Sequence, residues 1–306
     1  MTILSLSFIG CVNLGPKTLK NERSNYNHAV QKTNDEQLLL NLIRLKYRDT
    51  PFFMEVSSVA SQFTLSTSAT AFGRPFGDST AGLFGLGGGV GMTEKPTVTY
   101  SPLHGDKFIQ RVLSPLPLKT IALLFHSGWS IERIFRISFQ SINQLNNAPG
   151  ASGPTPSIAP SYIEFTSAVK HLRTLQLRNT INLSYQKEND ASKLILHISE
   201  KDKNSEEAKQ FALALNVEPG KTRYVFTFSP TLNSTDQIHV VSRSLLGIMF
   251  YLSQAVDVPR EDVLRGRVTQ TKTPEGKNFD WKEITGDLLK IRSLSGKPEA
   301  YSKSTY

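Results

Sequence analysis

The sequence predicts an α+β protein: a helical N-terminal part with a long β-hairpin, followed by a smaller α+β layer with a mostly antiparallel sheet. Three observations lead to this prediction. Apolar residues recur at helical spacing near residue 40 and again between 105 and 145. Alternation of apolar and small polar residues replaces that spacing at 53–72 and resumes at 98–100, and a Pro- and Gly-rich stretch later divides the chain. With 306 residues, 39% of them hydrophobic, the chain can form two folded domains.

The first predicted helix follows a polar linker at residues 15–24. Thr33 and Glu36 have the spacing of a capping box. The apolar residues behind it recur at the helical period: Leu38, Leu39, Leu42, Ile43 and Leu45. Because Pro51 disfavours helix just before it, we expect a helix of roughly four turns that ends near Asp49.

The second element is a β-hairpin or ribbon. Residues 53–72 alternate apolar or aromatic side chains with Ser, Thr and Ala, and Val98 and Tyr100 resume the alternation. The joining segment, 72–91, contains Gly82, Gly85, Gly87, Gly88, Gly89 and Gly91. We expect a mobile hairpin tip at residues 82–91, with insertion into a membrane or a partner ring as the alternative. A ring of subunits could use such hairpins to pair strands edge to edge.

The Gly-rich segments do not match nucleotide-binding motifs. A dinucleotide fingerprint needs glycine at its first, third and sixth positions, but the sixth position from Gly85 is Val90. A Walker A loop would need glycine five residues before Gly220, where Leu215 stands. The sequence therefore predicts no cofactor.

Residues 105–145 are predicted to form three helices, separated at Pro115, Pro117 and Gly128. Ser130 is the expected N-cap of the third helix. Its apolar stripe consists of Ile131, Ile134, Phe135 and Ile142. We interpret these stripes as core-facing surfaces.

A linker rich in Pro, Gly, Ser and Ala at residues 146–160 is the predicted domain boundary. The predicted organisation is an N-terminal segment and linker at 1–24, a helical domain with the hairpin at 25–147, and an α+β domain at 161–306. The third part opens with a capping box, Ser161 to Glu164, and a helix to about Leu177.

The rest of the third part alternates strands and helices. Strands are expected at 181–185 and 194–198 around the turn residues Asn189 and Asp190. A helix at 205–215, a strand at 223–228, an apolar helix at 242–256 and a final strand at 288–292 follow. This order predicts helices packed on one face of the sheet.

The net charge of +9 would suit an anionic partner, but basic and acidic residues are interleaved along the whole chain. The densest basic cluster, Arg44, Lys46 and Arg48, lies on a predicted amphipathic helix. A solvated basic surface fits this pattern better than a nucleic-acid groove, so we predict no nucleic-acid partner.

Cys11, the only cysteine, follows an uncharged apolar run that ends in Phe8-Ile9-Gly10. This segment resembles the lipobox of bacterial lipoproteins, which implies that Cys11 is acylated and becomes the mature N-terminus. Residues 1–24 are then a lipoprotein signal remnant and linker. Phe8 replaces the usual leucine, and the basic start of a secretory signal is missing. The alternative is a buried, inert cysteine. Val12 stands where aspartate would signal inner-membrane retention, so the resemblance implies the outer membrane.

No arrangement of residues predicts a catalytic or metal site. The histidines are isolated in the sequence: His28, His104, His126, His171, His197 and His239. Ser127 directly follows His126, but catalytic triads assemble in space and no Gly-x-Ser-x-Gly elbow is present. We therefore expect a protein that is not an enzyme, with no catalytic residues, metal or cofactor.

Three segments resemble an uncharacterised family of Gram-negative outer-membrane lipoproteins: residues 26–30, 36–53 and 95–105. The resemblance covers much of the chain and is strongest in the first half. It implies acylation at Cys11 and transfers no catalytic residues. A wider group of such proteins includes accessory lipoproteins of the type IVB secretion apparatus, which lie in its outer-membrane core ring.

The leading hypothesis is a lipid-anchored, periplasm-facing structural component of a multi-protein envelope assembly, such as a type IV secretion system. Its partners would be the membrane and other envelope proteins in an oligomer. The first rival is a tethered module that binds or hydrolyses cell-wall polymer or lipid, which predicts a pocket with a perturbed carboxylate or histidine. The second is a cytosolic nucleic-acid binder, which predicts one contiguous basic face.

Overall fold

The computed structural model describes residues 14–74, 83–103, 105–154, 156–188, 191–228 and 237–292. These residues form two compact units. Unit 1 contains residues 14–37 and 52–103, and unit 2 contains residues 38–51 together with the described residues from 105 onward.

Unit 1 consists of a helix segment and one long hairpin. Helix α1 spans Leu14–Lys46 and contributes its residues up to Gln37 to this unit. Strand β1 (Met54–Arg74) pairs antiparallel with strand β2 (Leu83–Pro102) along almost their whole length. One register shift, between Val56 and Ser58, interrupts the ladder near its base. The predicted long hairpin is confirmed.

Helix α1 corrects the expectation for the N-terminal region. Residues 15–24, predicted as a linker, are helical, and Thr33 lies within the helix instead of at its start. The Thr33 hydroxyl donates to the carbonyl oxygen of Val30 at 3.0 Å, which is the local bond that a threonine makes inside a helix. The capping-box pattern at Thr33 was therefore the wrong start signal.

Unit 2 contains eight helices beyond α1 among its described residues. They are α2 (Asp106–Leu113), α3 (Leu118–His126), α4 (Ile131–Ser138), α5 (Ile163–Leu177), α6 (Glu206–Ala214), α7 (Leu245–Ser253), α8 (Arg260–Leu264) and α9 (Lys282–Thr285). A short 3-10 helix occupies Pro149–Ser152. The helices predicted from 161 and from 205 are confirmed as α5 and α6.

The strands of unit 2 form a six-stranded sheet and a small parallel pair. They are β3 (Phe139–Ile142), β4 (Leu145–Asn146), β5 (Ile181–Glu188), β6 (Ala191–Ile198), β7 (Arg223–Thr227), β8 (Gln237–Ser242), β9 (Val256–Asp257) and β10 (Ile291–Arg292). The sheet order is β4-β3-β8-β7-β6-β5, and only β7 and β8 run parallel within it. The predicted α+β class with a mostly antiparallel sheet is confirmed.

The main core of unit 2 joins the sheet to helices α3 to α6. Phe135 of α4 is fully buried and packs edge-to-face against Phe139 and Phe226, with ring centroids 4.9 and 5.8 Å away. Burial of one such side chain stabilises the fold by roughly 2–3 kcal/mol. The apolar stripes predicted for these helices thus face the core.

A second cluster surrounds Tyr251 and Trp281 and includes Ala148 and Ala151. These two alanines belong to the stretch 146–160 that we predicted as a domain linker, and both are fully buried. Strand β3, which precedes this stretch, pairs with β8, which follows it. The stretch therefore runs inside unit 2, and the described units divide the chain elsewhere than at 146–160.

Three further expectations differ from the structure. Ile142 was assigned to a helical stripe but lies in β3, because the chain leaves the helix at Phe139. The helix predicted at 242–256 is shorter and follows strand β8, which the sequence analysis missed. Helix α5 begins after Tyr162 without a side-chain cap, although a capping box was predicted there.

Candidate functional site

The hairpin of unit 1 presents the most unusual surface of the described chain. At roughly 3.4 Å per residue, its strands of 21 and 20 residues extend for about 70 Å. Among the described residues, β1 and β2 pair only with each other. The outer edge of each strand therefore displays backbone N–H and C=O groups that have no strand partner within the described chain.

One face of the hairpin carries a row of hydroxyl side chains opposite a row of glycines. Ser66, Ser68 and Thr70 on β1 pair in register with Gly91, Gly89 and Gly87 on β2. Each hydroxyl donates to the carbonyl oxygen of its glycine partner, at 3.1, 3.4 and 3.3 Å respectively. We call these three pairs the hydroxyl–glycine ladder.

The glycines of the ladder leave room for the hydroxyls. A Cβ atom on Gly91 would lie 2.8 Å from the Oγ of Ser66, and one on Gly89 would lie 3.0 Å from the Oγ of Ser68. In contrast, a Cβ on neighbouring Gly88 would approach nothing closer than the carbonyl oxygen of Ser68, at 3.8 Å. Glycine is thus sterically favoured at alternate positions of β2.

The ladder corrects the prediction of a mobile tip at residues 82–91. From Leu83 onward these residues belong to strand β2, and Gly82 lies outside the described residues. Glycines in a run are typical of loops, which led to the wrong prediction. The strand signal was present in their spacing, because Gly85, Gly87, Gly89 and Gly91 recur at the two-residue period of a strand.

The base of the hairpin is fastened to helix α1. The side-chain amide of Gln37 donates to the carbonyl oxygen of Met54 at 3.0 Å and accepts from the Met54 N–H at 2.5 Å. The N–H of Leu103 donates to the carbonyl oxygen of Phe53 at 2.9 Å, next to Met54 and Pro102, the last paired residues of β1 and β2. An open groove of about 630 Å³ runs between α1 and the first residues of β1, lined by Val30, Asn34 and Val59 among others.

A buried arginine organises the interior of unit 2. Arg243 is fully buried and donates to the carbonyl oxygens of Arg136 at 2.9 Å, Phe139 at 2.5 Å and Asn147. Its guanidinium carbon lies 4.1 Å from the centre of the Tyr251 ring, a cation–π distance. Burial lowers the pKa of Arg243 to about 10, so the group stays charged at neutral pH.

A second buried arginine, Arg136, forms an ion pair with the exposed carboxylate of Asp287. It forms two hydrogen bonds with the carboxylate of Asp287, at 2.6 and 2.8 Å, and donates to the carbonyl oxygen of Ile284. Burial disfavours its charge, but Asp287 outweighs that effect and the pKa of Arg136 is raised. The same bonds lower the pKa of Asp287.

The residues considered for catalysis do not assemble in unit 2. His126 ends helix α3 and Ser127 donates to the carbonyl oxygen of Leu123 at 2.8 Å, a local bond at the helix end. His197 approaches the hydroxyl of Ser184 at 3.2 Å on neighbouring strands. In the described residues, no three histidine, cysteine or acidic side chains are placed to hold a metal ion.

The grooves of unit 2 are open. One, of about 720 Å³, lies at the start of helix α4 and is lined by Trp129, Glu132, Arg133, Arg173 and Asp287 among others. The predicted cap Ser130 makes no side-chain bond there, and the N–H of Ile131 donates to Gln176 of α5 instead. Another groove, of about 530 Å³, is lined by Asp257, Lys282 and Leu289 among others.

Cys11, the predicted acylation site, lies outside the described residues. Among the helices that the structure describes, none combines the length and the apolar character needed to cross a bilayer. Comparisons of the chain with protein-family models, curated proteins and solved structures found no match.

Proposed function

We propose that this chain is a non-catalytic lipoprotein, anchored to the outer membrane through acylated Cys11, that serves as a structural component of a multi-protein assembly in the periplasm. The observation that carries the proposal is the long hairpin of unit 1, whose two outer edges have no strand partner among the described residues. Within this proposal, the type IVB secretion apparatus is the setting that the sequence resemblance favours.

The hairpin is hard to explain as a feature of an isolated chain. A two-stranded hairpin is marginally stable in water unless something packs on it. Here Val59, Val98 and Tyr100 are 36%, 39% and 51% exposed, although they carry large apolar side chains. Other chains of an assembly would cover these side chains and the strand edges together.

Helix α1 supports the same interpretation. Leu38, Leu39 and Leu40 lie on consecutive positions of the helix and are 48%, 43% and 48% exposed. Consecutive helical residues project about 100° apart, so these leucines expose apolar side chains around much of the helix. They offer a second surface for protein partners within the proposed assembly.

Partners and anchor can be tested together in a Gram-negative host that carries the native protein. Wild type and Cys11→Ser are compared by membrane fractionation and intact mass, followed by crosslinking and identification of the attached proteins. The proposal expects an acylated chain in the outer membrane that crosslinks to envelope proteins, and release of Cys11→Ser. An unmodified wild-type chain that remains monomeric would overturn it.

A second candidate function is a tethered module that binds or hydrolyses cell-wall polymer or lipid. The groove beside helix α4 favours binding, because Trp129 is 51% exposed next to the basic side chains of Arg133 and Arg173. Its carboxylate Asp287 is poorly suited to act as a general acid in hydrolysis, since the hydrogen bond from Arg136 lowers its pKa and favours the ionised form. Loss of binding to peptidoglycan fragments in Trp129→Ala, with binding retained in Leu177→Ala, would support this candidate.

A further inference from the structure

We propose that hairpins of successive copies of this chain pair edge to edge, with the outer edge of β1 in one copy against the outer edge of β2 in the next. The copies would then share one continuous antiparallel sheet. This inference rests on the proposed function and names a partner for its central surface, namely a second copy of this chain.

The backbone of the hairpin supplies the bonds for such pairing. A strand directs its N–H and C=O groups alternately to its two sides, and the partnership of β1 with β2 uses one side of each. About ten residues on each outer edge are left to bind another strand. When both hairpins point the same way, β1 of one copy and β2 of the next run antiparallel, as they do within one chain.

The distal half of the hairpin carries few of the features that keep strand edges apart. Natural edges are protected by charges, prolines and bulges. Residues 64–73 of β1 and 83–93 of β2 contain no charged residue and no proline. The bulge between Val56 and Ser58, together with Lys95 and Pro96, lies in the proximal half. Arg74, the last residue of β1, is the one charged residue in the distal half of the two strands. Edge protection is thus concentrated at the base of the hairpin, and residues 64–73 and 83–93 are open to pairing.

Pairing with further copies of this chain would cover the outer edges of both β1 and β2 with one kind of contact. A different protein that added a single strand would cover one edge and leave the other open. A two-fold pair of copies that joined β1 to β1 would also leave β2 open. Head-to-tail pairing of β1 with β2 covers every edge by repetition, and it forms a closed ring when the rotation between copies closes.

The hydroxyl and glycine rows that pair β1 with β2 inside one chain can also pair β1 of one copy with β2 of the next. The hydroxyl row of β1 would lie beside the glycine row of the next β2, the same combination as in the chain itself. Both rows repeat every two residues, so a shift of two residues between copies still places hydroxyls beside glycines. The pairing is therefore compatible with a staggered arrangement of copies.

Disulfide crosslinking between two tagged populations in the native membrane tests this pairing. One population carries Thr93→Cys on β2, and the other carries Gln62→Cys, Thr64→Cys or Ser66→Cys on β1. These are exposed positions of one face, and the series samples three registers. We expect an intermolecular disulfide between the populations in at least one register, because facing residues of paired strands come within the reach of a disulfide.

Matched controls establish what a negative result means. A single chain with both Thr64→Cys and Thr93→Cys should close an internal disulfide, which shows that the hairpin is formed and both thiols are reactive. Thr64→Cys mixed with Gln186→Cys, an exposed position on edge strand β5, measures chance edge contacts. Wild type, with Cys11 alone, measures the background.

The outcomes separate this inference from the proposed function. Absence of the mixed product in all three registers, with the internal disulfide formed, would overturn the pairing of copies. Dominant crosslinking between two Thr64→Cys chains would overturn it too, because that product requires β1 beside β1. If crosslinks to other envelope proteins persist in either case, the proposed function stands without this inference.

Discussion

The side-chain amide of Gln37 pairs with Met54 in the way that a neighbouring strand would. Its Nε2 donates to the Met54 carbonyl oxygen at 3.0 Å, and its Oε1 accepts from the Met54 N–H at 2.5 Å. Helix α1 thus binds both backbone groups at the first residue of β1. The outer edge of β1 is therefore without a strand partner only beyond Met54, because Gln37 already binds the N–H and C=O groups of Met54.

Replacement of Gln37 should loosen the base of the hairpin. Gln37→Glu keeps an acceptor for the Met54 N–H but places a carboxylate oxygen against the Met54 carbonyl. Loss of one donated bond and the new repulsion should destabilise the base by ~1 kcal/mol. Amide hydrogen exchange at Met54 and Leu103 should accelerate accordingly. Gln31→Glu, an exposed change earlier in the same helix, is the control, and equal exchange rates in both variants would contradict the role of Gln37.

The hydroxyl–glycine ladder predicts an asymmetry between neighbouring glycines. Gly91→Ala should displace the Ser66 hydroxyl and destabilise the hairpin by ~1 kcal/mol, because a Cβ there lies only 2.8 Å from Oγ. Gly88→Ala should be tolerated, since its Cβ has ordinary contacts. Hydrogen exchange across residues 62–70 measures both.

A double variant separates sterics from backbone entropy. Ser66→Ala removes the atom that the new methyl group meets, so Ser66→Ala with Gly91→Ala should be less destabilised than the sum of the two single changes. Strict additivity of the three values would show that the close approach between Ser66 and Gly91 does not restrict residue 91.

The sequence was sufficient to predict most of unit 2 because its elements follow simple periodicities. The helix predicted at 205–215 illustrates this: α6 begins directly after Ser205, whose side chain caps it by accepting from the Ala208 N–H at 3.3 Å. Strand β3 was missed because Ile142 continues the helical spacing of Ile131 and Ile134, and only pairing with β8 makes it a strand. Such long-range pairing leaves no local signal.

The candidate site was only half predictable. The alternation of β1 predicted a hairpin, whereas the glycines of β2 suggested a loop. Their role depends on the hydroxyl side chains that face them from β1, and the local sequence of β2 does not show that pairing. The sequence around Arg243 did not indicate that this side chain is buried either. A single arginine between polar residues is usually a surface residue, and its burial follows from carbonyl groups contributed by residues 136–147, about a hundred positions earlier.

Arg243 should be the most sensitive polar residue of unit 2. Arg243→Met keeps much of the volume but removes the guanidinium donor from the carbonyl groups of Arg136, Phe139 and Asn147. The first two still accept from the side-chain amide of Asn147, at 2.7 Å each. We expect a loss of ~3 kcal/mol or more in the free energy of unfolding, measured by urea denaturation. Arg133→Met, at an exposed position of α4, should change it little. Similar small losses in both variants would argue that Arg243 is replaceable.

The bond between Arg136 and Asp287 should make unit 2 sensitive to acid. The pKa of Asp287 is lowered by its hydrogen bond from Arg136, so the bond stabilises the fold above the unfolded pKa of Asp and is lost as pH falls through the folded one. Asp287 is 62% exposed, so solvent screening limits this contribution to ~1 kcal/mol. In Asp287→Asn, stability should vary less with pH below about 4 than in wild type. Parallel curves for the two chains between pH 2 and 5 would contradict this contribution.

Lys46 should make stability rise with pH in alkaline solution, the same direction of change that Asp287 produces in acid. Burial lowers its pKa to about 8, with Asp257 acting against this effect, and its ammonium group donates to Gln254 at 3.0 Å. Between that pKa and the ordinary value near 10.4 the unfolded chain binds more protons than the folded one, so stability rises with pH over this window. Lys46→Met removes the titrating group and should flatten the rise, by ~2 kcal/mol across the window.

Urea denaturation at pH 7.5, 8.5 and 9.5 measures the slope, and Lys107→Met, which alters a lysine on α2, is the control. An unchanged slope in Lys46→Met would mean that the folded chain keeps this lysine as readily protonated as the unfolded chain does.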